Sequence, residues 1–334
     1  MTKNEKNQIF FQEIRNKILL VNQVAFLKNK IGLAVSGGVD SMVLLNVFCR
    51  LSKEYDLKLY VMHYNHKWRK ESYKDAQLVK KYCEEKNIKF LYEETKGKVI
   101  SAKGGPASGG KDEETAREQR YSFFKACAKK FSLKVICTAH HLDDQVETIL
   151  FRLARGTGPN GLYPIKEHLI GVDKIGFYRP FLNITKAMIR KYALQNKIKY
   201  IEDKTNLDLM YKRNLIRRKI VPLLRQINPK VENNILAFSN LVYSQNIALD
   251  NYFSVLLKRI KTDSLLSLNR KKFLKLDYYT QSAFIYWFFT VHGIKGAVSK
   301  INAIRDAIIN QKKVDLSKKY IMNSAGNKVI FAVK

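Results

Sequence analysis

The pattern of hydrophobic and polar positions predicts a strand followed by a helix around residue 40. Ile31–Val35 form a short apolar run of the kind found in buried strands. After the string Ser-Gly-Gly-Val-Asp-Ser at 36–41, apolar residues return at the helical spacings of three and four, at Val43, Leu44, Val47 and Phe48. The pattern therefore predicts a strand, a glycine-rich turn and a helix.

The glycine-rich turn has the chemistry of a phosphate site. Two glycines let backbone N–H groups approach an anion, and the start of a helix adds unpaired donors and the positive end of the helix dipole. The serines offer hydroxyl groups, and Asp40 can hold the Mg²⁺ that accompanies a phosphate. The alternative is an ordinary strand-to-helix turn, which the complete string makes the weaker interpretation. We therefore predict a nucleotide-phosphate site made by Ser36, Gly37, Gly38, Val39, Asp40 and Ser41.

The same alternation of strands and helices continues to about residue 220. Strands are predicted at 58–63, 89–93 and 134–139, and helices at 7–28, 74–86 and 113–131, the last capped by Asp112 or Thr115. Three further helices are predicted: one that follows the third of these strands, continues to Arg155 and stops at Gly156, one capped by Thr185, and one that ends near Arg225. Strands that alternate with helices indicate an α/β fold with a doubly wound, mostly parallel sheet. In such sheets ligands bind at the carboxyl ends of the strands.

The chain changes character after Pro222 and Pro229. Long helical patterns cover 231–261, 278–292 and 299–311, the last of them capped by Ser299, and a hairpin is predicted from 314–321 and 328–333. We therefore predict a catalytic domain at 1–220 and a smaller, helix-rich α+β accessory domain at 221–334.

Charge indicates the class of partner. The 334 residues include 61 Lys and Arg against 29 Asp and Glu, a net charge of +32, which favours a polyanion such as nucleic acid. A lysine-rich composition caused by genomic base bias is the alternative. The apolar runs are too short to predict a membrane span, and the scattered Cys49, Cys83, Cys127 and Cys137 indicate buried thiols in a reducing cytoplasm.

Acidic residues follow the predicted strand at 134–139. Asp144 and Glu147 share a helix face, and Asp143 neighbours Glu147 on the next turn. A carboxylate cluster at this edge of the sheet can hold Mg²⁺ or an ammonium group, whereas the plainer interpretation is that the acids complement the helix dipole.

Arginines stand at two further positions. Arg117 and Arg120 lie in the opening turns of a predicted helix, where they oppose its dipole and call for an anion, or else pair with Glu113 or Glu114. Arg213 and Arg217 belong to a basic helix face, which is either a surface for RNA phosphates or simply solvated. The glycine-rich stretch 96–112 lacks the Ser or Thr that a Walker loop needs at Asp112 and is expected to be a mobile loop or lid.

Seven strings, in order, resemble the tRNA(Ile)-lysidine synthase family of the N-type ATP pyrophosphatases. They are AVSGGVDS (34–41), HYNHKWR (63–69), AREQRYSFF (116–124), TAHHLDDQVET (138–148), ARGTGPNGL (154–162), RPFL (179–182) and EDKTN with YKRNLIR (202–217). Two departures stand out, since stretch 96–112 is longer than usual and Trp68 replaces a more common leucine. Neither change removes a residue to which we assign chemistry.

The resemblance implies an ATP-dependent RNA ligase. ATP and Mg²⁺ would adenylate C2 of the wobble cytidine in a CAU-anticodon tRNA(Ile), and free L-lysine would then displace AMP to give lysidine. By this resemblance Asp40, with Mg²⁺, would neutralise charge on the phosphates. Arg120, supported by Arg117, would contact phosphate or the activated base, and His140 would line the site. Lysine would be bound by Asp143, Asp144 and Glu147, and tRNA by Arg213 and Arg217. Many such enzymes are dimers, so a homodimer is left open.

Three other functions remain open from the residues. A tRNA thiolase shares the loop but usually relies on paired cysteines, which this chain lacks. An amide-forming ligase would need a glutaminase half, which is not evident. An RNA-binding protein with a decayed ATP site would have lost residues from the loop or the acidic string, and none is missing.

Overall fold

The computed structural model describes residues 11–12, 15–16, 30–69, 71–95, 111–170, 175–202, 208–262, 266–294 and 300–333. They form two compact units, Met1–Asn240 and Leu241–Lys334. Most of the predicted helix 7–28, nearly all of the glycine-rich stretch 96–112 and the predicted cap Ser299 lie outside the described residues.

The first unit is an α/β fold. Its strands are β1 (Lys30–Ala34), β2 (Lys58–Asn65), β3 (Lys89–Glu94), β4 (Val135–Cys137), β5 (His168–Ile170) and β6 (Gly176–Tyr178). Its helices are α1 (Val39–Tyr55), α2 (Ser72–Glu85), α3 (Lys111–Phe131), α4 (Leu142–Ala154), α5 (Lys186–Gln195), α6 (Lys212–Leu215) and α7 (Val221–Ile227), with a 3₁₀ turn at Pro159–Leu162 and a π-helical segment at Ile216–Ile220.

The sheet of this unit has the strand order β3-β2-β1-β4-β6-β5. The first five strands in this order are parallel, and β5 pairs antiparallel to β6 at the edge. Strand β1 is central and its apolar run is buried, as the sequence predicts, because both faces are covered: Ile31 and Leu33 are fully buried. The doubly wound, mostly parallel fold is therefore confirmed.

The second unit is helix-rich and carries a small antiparallel sheet. The long helix α8 (Val231–Ile260) runs into it, followed by α9 (Arg270–Leu274), α10 (Tyr278–Val291) and α11 (Ile301–Ile309). The sheet order is β7-β10-β9-β8, with β7 at Ser267–Asn269, β8 at Lys313–Asp315, β9 at Tyr320–Ala325 and β10 at Lys328–Val333. Aromatic residues of α10, including Phe284 and Phe288, are fully buried in its core.

Several sequence predictions about local structure need correction. The predicted strand 314–321 is two strands, because the chain turns between β8 and β9 and both then pair in one sheet. Helix α3 is described from Lys111, so Asp112 and Thr115 both lie within it. Strands β5 and β6 were not predicted, since three-residue strands are too short to produce a period.

The predicted domains at 1–220 and 221–334 stay a prediction, and the two compact units divide a little later in the chain. The boundary falls at 240/241, inside α8. Ile235 and Leu236, in the first turns of α8, pack against a cluster in the first unit that contains Leu142, Val146 and Ile216. These apolar contacts hold the beginning of the long helix to the first unit.

Candidate active site

The predicted phosphate loop joins β1 to α1 as a sharp turn. Gly37 has a φ of +93°, and α1 begins at Val39 after Gly38. The Ser41 hydroxyl accepts a hydrogen bond from the backbone N–H of Ser36 (3.1 Å) and donates to the carbonyl oxygen of Gly38 (3.0 Å). These contacts close the turn over the N-terminus of α1, the arrangement that binds anions.

The conformation and surroundings of Gly37 leave little room for a side chain. A Cβ atom there would lie 3.1 Å from Cβ and 3.3 Å from Cα of Asp75, and the positive φ adds strain for any L-residue. Asp75 itself is fixed by Arg69, whose Nη2 donates to Oδ2 over 2.5 Å.

We expect Gly37→Ala to lower the free energy of unfolding by about 1–3 kcal/mol because of φ strain and the contact with Asp75. Gly38→Ala is the matched control, since its φ is −75° and its Cβ would meet only Ser36 Oγ at 3.7 Å. Urea unfolding of both variants measures the difference. Equal loss in the two variants would contradict the proposed strain at Gly37.

Asp40 lies on the first turn of α1 and has a cationic partner. Lys186 Nζ is 2.5 Å from Asp40 Oδ2, and His141 Nε2 is 3.9 Å from Asp40 Oδ1. Asp40 Oδ1 is buried and has no hydrogen-bond partner among the described residues. The loop, the beginning of α5 and the end of β4 therefore meet at Asp40.

The acidic string at the start of α4 lies against the same group. His141 Nδ1 is 3.5 Å from Asp143 Oδ2, and His141 Nε2 is 3.5 Å from Asp144 Oδ2. Burial works against a charged imidazole, but Asp143, Asp144 and Asp40 together raise the pKa of His141. His141 thus lies between the carboxylate of the loop and the carboxylates of the acidic string.

The three acidic residues have different environments. Asp143 Oδ2 accepts a hydrogen bond from the backbone N–H of Lys186 at 2.9 Å. Burial opposes ionisation of Asp143, but His141 and this hydrogen bond lower its pKa to about 2. Glu147 is buried and binds Arg217 through both oxygens, at 2.5 Å from Nε and 2.9 Å from Nη2. Arg217 Nη2 also lies 3.4 Å from Asp144 Oδ1. Asp144 and Glu147 therefore do share a face, and together they contact one cation.

His140 faces the arginine side of the site. Its Nδ1 is 2.8 Å from the Thr138 hydroxyl. Burial lowers the pKa of His140 to about 4 and outweighs the opposing effect of Asp144. The positive charges of Arg179, Arg117 and Arg120 act in the same direction as burial. Arg117 and Arg120 both lie over the Tyr121 ring, at 5.2 and 5.9 Å from its centroid. The predicted His140, Arg117 and Arg120 are thus close enough to influence one another.

The depressed pKa of His140 predicts a pH effect on stability. His140 is buried in its neutral form, so its contribution to stability is fully present above the ordinary pKa of 6.5. As pH falls from 6.5 towards about 4, the unfolded chain binds a proton at this imidazole more readily than the folded protein does, and the contribution is lost. Between pH 6.5 and 4 we expect the wild type to lose about 2–3 kcal/mol more unfolding free energy than His140→Gln. Urea unfolding at both pH values tests this; equal losses would contradict the assignment.

Sequence reasoning did not assign Lys186, His141 or Arg179 to the site. Lys186 is the first residue of α5, capped by the Thr185 hydroxyl, which accepts from the N–H of Met188. A lysine in the first turn opposes the helix dipole, and that signal could have identified it. Arg179 is 4% exposed and donates from Nη1 to the carbonyl oxygen of Lys166. Arg179 belongs to the RPFL string, but its contact with Lys166, 13 residues earlier, has no signal in the sequence.

Arg213 and Arg217, predicted together as tRNA contacts, have different surroundings. Arg217 belongs to the carboxylate cluster, with a side chain that is 39% exposed, whereas Arg213 on α6 is exposed. Burial lowers the pKa of Arg152, and positive charge on Arg117 and Arg213 lowers it further. Arg152 in turn donates from Nη1 to the carbonyl oxygens of Gly161 and Tyr163. A group of three arginines therefore lies beside the loop after α4.

The cysteines do not form a catalytic or cluster-binding set among the described residues. Cys83, Cys127 and Cys137 are buried, and burial raises the pKa of Cys83 to about 12 and that of Cys127 to about 11. No group of three or more His, Cys, Asp or Glu side chains in the described ranges is arranged to hold a metal ion. Nor does any described helix have the length and apolar character that would let it cross a membrane.

Comparisons with known proteins identify the family of the chain. The PP-loop domain family matches residues 7–224. The tRNA(Ile)-lysidine synthase of Thermosipho africanus (strain TCF52B) is 39% identical over 215 residues, 64% of this chain and 48% of that protein, so the chain spans about half the length of that curated relative. The synthase of Francisella tularensis subsp. novicida (strain U112) is 32% identical over 320 residues, 94% of this chain and 77% of that protein.

A solved structure supports the fold. The U34-tRNA thiolase NcsA from Methanococcus maripaludis superposes with a TM-score of 0.57 at 16% identity, covering 71% of this chain and 80% of that one. At this identity the likeness concerns the fold alone. The domain match and the Francisella relative, which matches 94% of this chain, decide the family: the chain belongs to the tRNA(Ile)-lysidine synthase family of PP-loop proteins.

Proposed function

We propose that this protein uses ATP to ligate free L-lysine to C2 of the wobble cytidine in a CAU-anticodon tRNA(Ile), giving lysidine, AMP and pyrophosphate. One observation carries the proposal. His141 lies 3.9 Å from Asp40 on the phosphate loop and 3.5 Å from Asp144 on the acidic helix, so an anion-binding group and a cation-binding group share one site. A reaction that joins a nucleotide to an amine needs both.

In the first step, the O2 atom of the cytidine attacks the α-phosphorus of ATP, and the bond to the bridging oxygen breaks to release pyrophosphate. The loop N–H groups at the start of α1 and the Lys186 ammonium bind the departing phosphates. Arg120 and Arg117 lie on the side of His140 and contribute positive charge near the base or the α-phosphate.

In the second step, the ε-amino group of lysine attacks C2, and the bond from C2 to the adenylate oxygen breaks to release AMP. The ammonium group must first lose a proton. Asp143 is engaged by the N–H of Lys186 and by His141, which makes it a positioning residue. Asp144 Oδ1, whose contact with Arg217 is the longer one at 3.4 Å, is the better placed to bind the ammonium and accept its proton. Glu147, bound by Arg217 through both oxygens, contributes negative charge beside it.

Magnesium fits the residues at the loop. Asp40 Oδ1 is a buried carboxylate oxygen with no partner among the described residues, and Mg²⁺ in nucleotide sites is held by one or two carboxylates together with phosphate oxygens and water. Asp40 would hold the ion, which when bound neutralises charge on the phosphates.

The positive charge of the chain supports RNA as the second substrate. Its net charge of +32 would attract the phosphate backbone, with Arg213 and its neighbours Arg117 and Arg152 as one contact region. The helix-rich second unit is proposed as an accessory tRNA-binding domain, and a homodimer stays a prediction.

Release of AMP and pyrophosphate tests this proposal. Purified protein is incubated with ATP, Mg²⁺, lysine and a CAU-anticodon tRNA(Ile) transcript, with parallel reactions that omit lysine or replace the wobble cytidine. Pyrophosphate release that depends on the cytidine, and AMP release that depends on lysine, are expected. Tight RNA binding without either would contradict the proposal and favour a binding protein.

A further inference from the structure

Three aromatic rings lie in a row at the carboxyl end of β2. The centroids of Tyr64 and His66 are 4.8 Å apart, and those of His66 and Trp68 are 4.9 Å apart with an angle of 22° between the planes. Trp68 is 37% exposed, and no second ring contacts it among the residues that the structure describes. The row therefore ends in an indole that is available to another planar group.

His66 is placed as a flat ring and not as a hydrogen-bonding group. Both of its ring nitrogens are buried, and neither has a hydrogen-bond partner within the described part of the chain. Burial, with Arg120 and His63, lowers the pKa of His66 to about 4, so the imidazole is neutral at neutral pH. An unpaired buried polar group is unfavourable. Its stacking on Trp68 and its contact with the Tyr64 ring, which is tilted by 60°, give a reason for the residue at this position.

The aromatic row lies beside the phosphate loop. The N–H of Val35, the residue before the loop, donates to the carbonyl oxygen of Met62 in β2, and His63 Nδ1 is 2.9 Å from the Val35 carbonyl oxygen. Directly after Trp68, Arg69 binds Asp75, the residue against which Gly37 packs. The segment that carries Trp68 is thus tied to the loop on both sides.

The turn before Trp68 is also fixed. Lys67 has a φ of +55°, its N–H donates to Asn65 Oδ1 at 2.9 Å, and its Nζ lies 2.5 Å from Glu94 Oε1. These contacts hold the backbone that presents the indole. A preorganised aromatic ring beside arginines and a phosphate loop has the composition of a base-stacking site for nucleic acids or nucleotides.

We propose that Trp68, backed by His66 and Tyr64, is a stacking platform for a nucleobase bound next to the phosphate loop. A planar base reaches this place from either of two ligands, as the adenine of ATP or as an unstacked base of the RNA. The inference rests on the proposed function in taking these two molecules as the ligands. Trp68 then contributes to substrate binding in a way that an aliphatic side chain at this position cannot.

Tryptophan fluorescence measures this contact directly, because the chain contains only Trp68 and Trp287. Trp287 is 6% exposed in the core of the second unit, so Trp287→Phe leaves Trp68 as the sole reporter. The protein is titrated separately with Mg-ATP, inorganic pyrophosphate, an RNA stem-loop with a CAU anticodon, and the same RNA lacking the wobble base. Stacking by a base quenches Trp68, whereas pyrophosphate leaves its emission unchanged.

The pattern of quenching identifies the source of the base. Quenching by Mg-ATP assigns adenine, and quenching by RNA that is lost without the wobble base assigns the cytidine. Quenching by RNA that survives removal of that base assigns a neighbouring nucleotide. No quenching by ATP or RNA, or equal quenching by pyrophosphate, would overturn the proposal.

Affinity gives a second readout. In proteins that keep Trp287, Trp68→Leu is expected to weaken binding of the quenching ligand at least about fivefold, while Trp68→Phe and His66→Phe stay within about threefold of wild type because they keep the flat rings. Tyr73→Leu, at a 51% exposed aromatic of α2 to which no role is assigned, is the matched control. Equal affinity of Trp68→Leu and Trp68→Phe would contradict stacking even if lysine ligation is intact. Loss of ligation with normal quenching would instead contradict only the proposed function.

Discussion

Asp40→Asn is expected to slow pyrophosphate release from ATP by about a hundred- to a thousandfold. The substitution removes the negative charge that pairs with Lys186 at 2.5 Å and that faces His141, and it weakens the carboxylate proposed to hold Mg²⁺. Because the amide has nearly the same shape, the loop itself should keep its fold. The measurement is the rate of pyrophosphate release at saturating ATP, lysine and RNA.

Glu85→Gln is the matched control for this charge removal. Glu85 is exposed at the end of α2 and has no place in the proposed site. Its rate should equal that of the wild type. A rate for Asp40→Asn within threefold of wild type, with unchanged unfolding, would show that the loop carboxylate is not needed.

Glu147→Gln is expected to lower the free energy of unfolding by about 2–4 kcal/mol. Glu147 is 4% exposed and binds Arg217 through two short contacts. The neutral amide would therefore leave the partly buried guanidinium of Arg217 without its carboxylate partner. The side chain of Arg217 is 39% exposed, which places the effect towards the lower part of this range. Urea unfolding of the purified variant measures it.

Arg217→Met and the double variant complete a double-mutant cycle. Arg217→Met alone leaves a buried carboxylate beside Asp144 and should also destabilise, whereas the double variant should lose less than the sum of the two single changes. Strict additivity would contradict a direct ion pair. The same cycle, read by lysine KM, separates the role of the carboxylates in substrate binding from their role in the fold.

The parts of the site that are local in sequence could be predicted from the sequence. The string at 36–41 lies after a buried strand and before a helix, and its glycine at 37 has the positive φ that the turn requires. Asp144 and Glu147 share a helix face because their spacing of three residues fixes it. The period of apolar residues gave the principal strands and helices of the first unit for the same reason.

Contacts between distant segments could not be predicted in this way. Arg217 reaches Glu147 across 70 residues, and Lys186 reaches Asp40 across 146. The first depends on how the π-helical segment Ile216–Ile220 packs against α4, and the second on how α5 packs against α1, which no local pattern encodes. The aromatic row is a similar case, since the string HYNHKWR gives the rings but not their stacking.

Incorporation of radiolabelled lysine into RNA tests the central claim most directly. Purified protein, ATP, Mg²⁺ and labelled L-lysine are incubated with a CAU-anticodon tRNA(Ile) transcript, and the RNA is digested so that the labelled nucleoside can be identified. We predict one label per RNA at the wobble position, absent when the cytidine is replaced or ATP is omitted. RNA that binds tightly yet stays unlabelled, while ATP remains intact, would contradict the account.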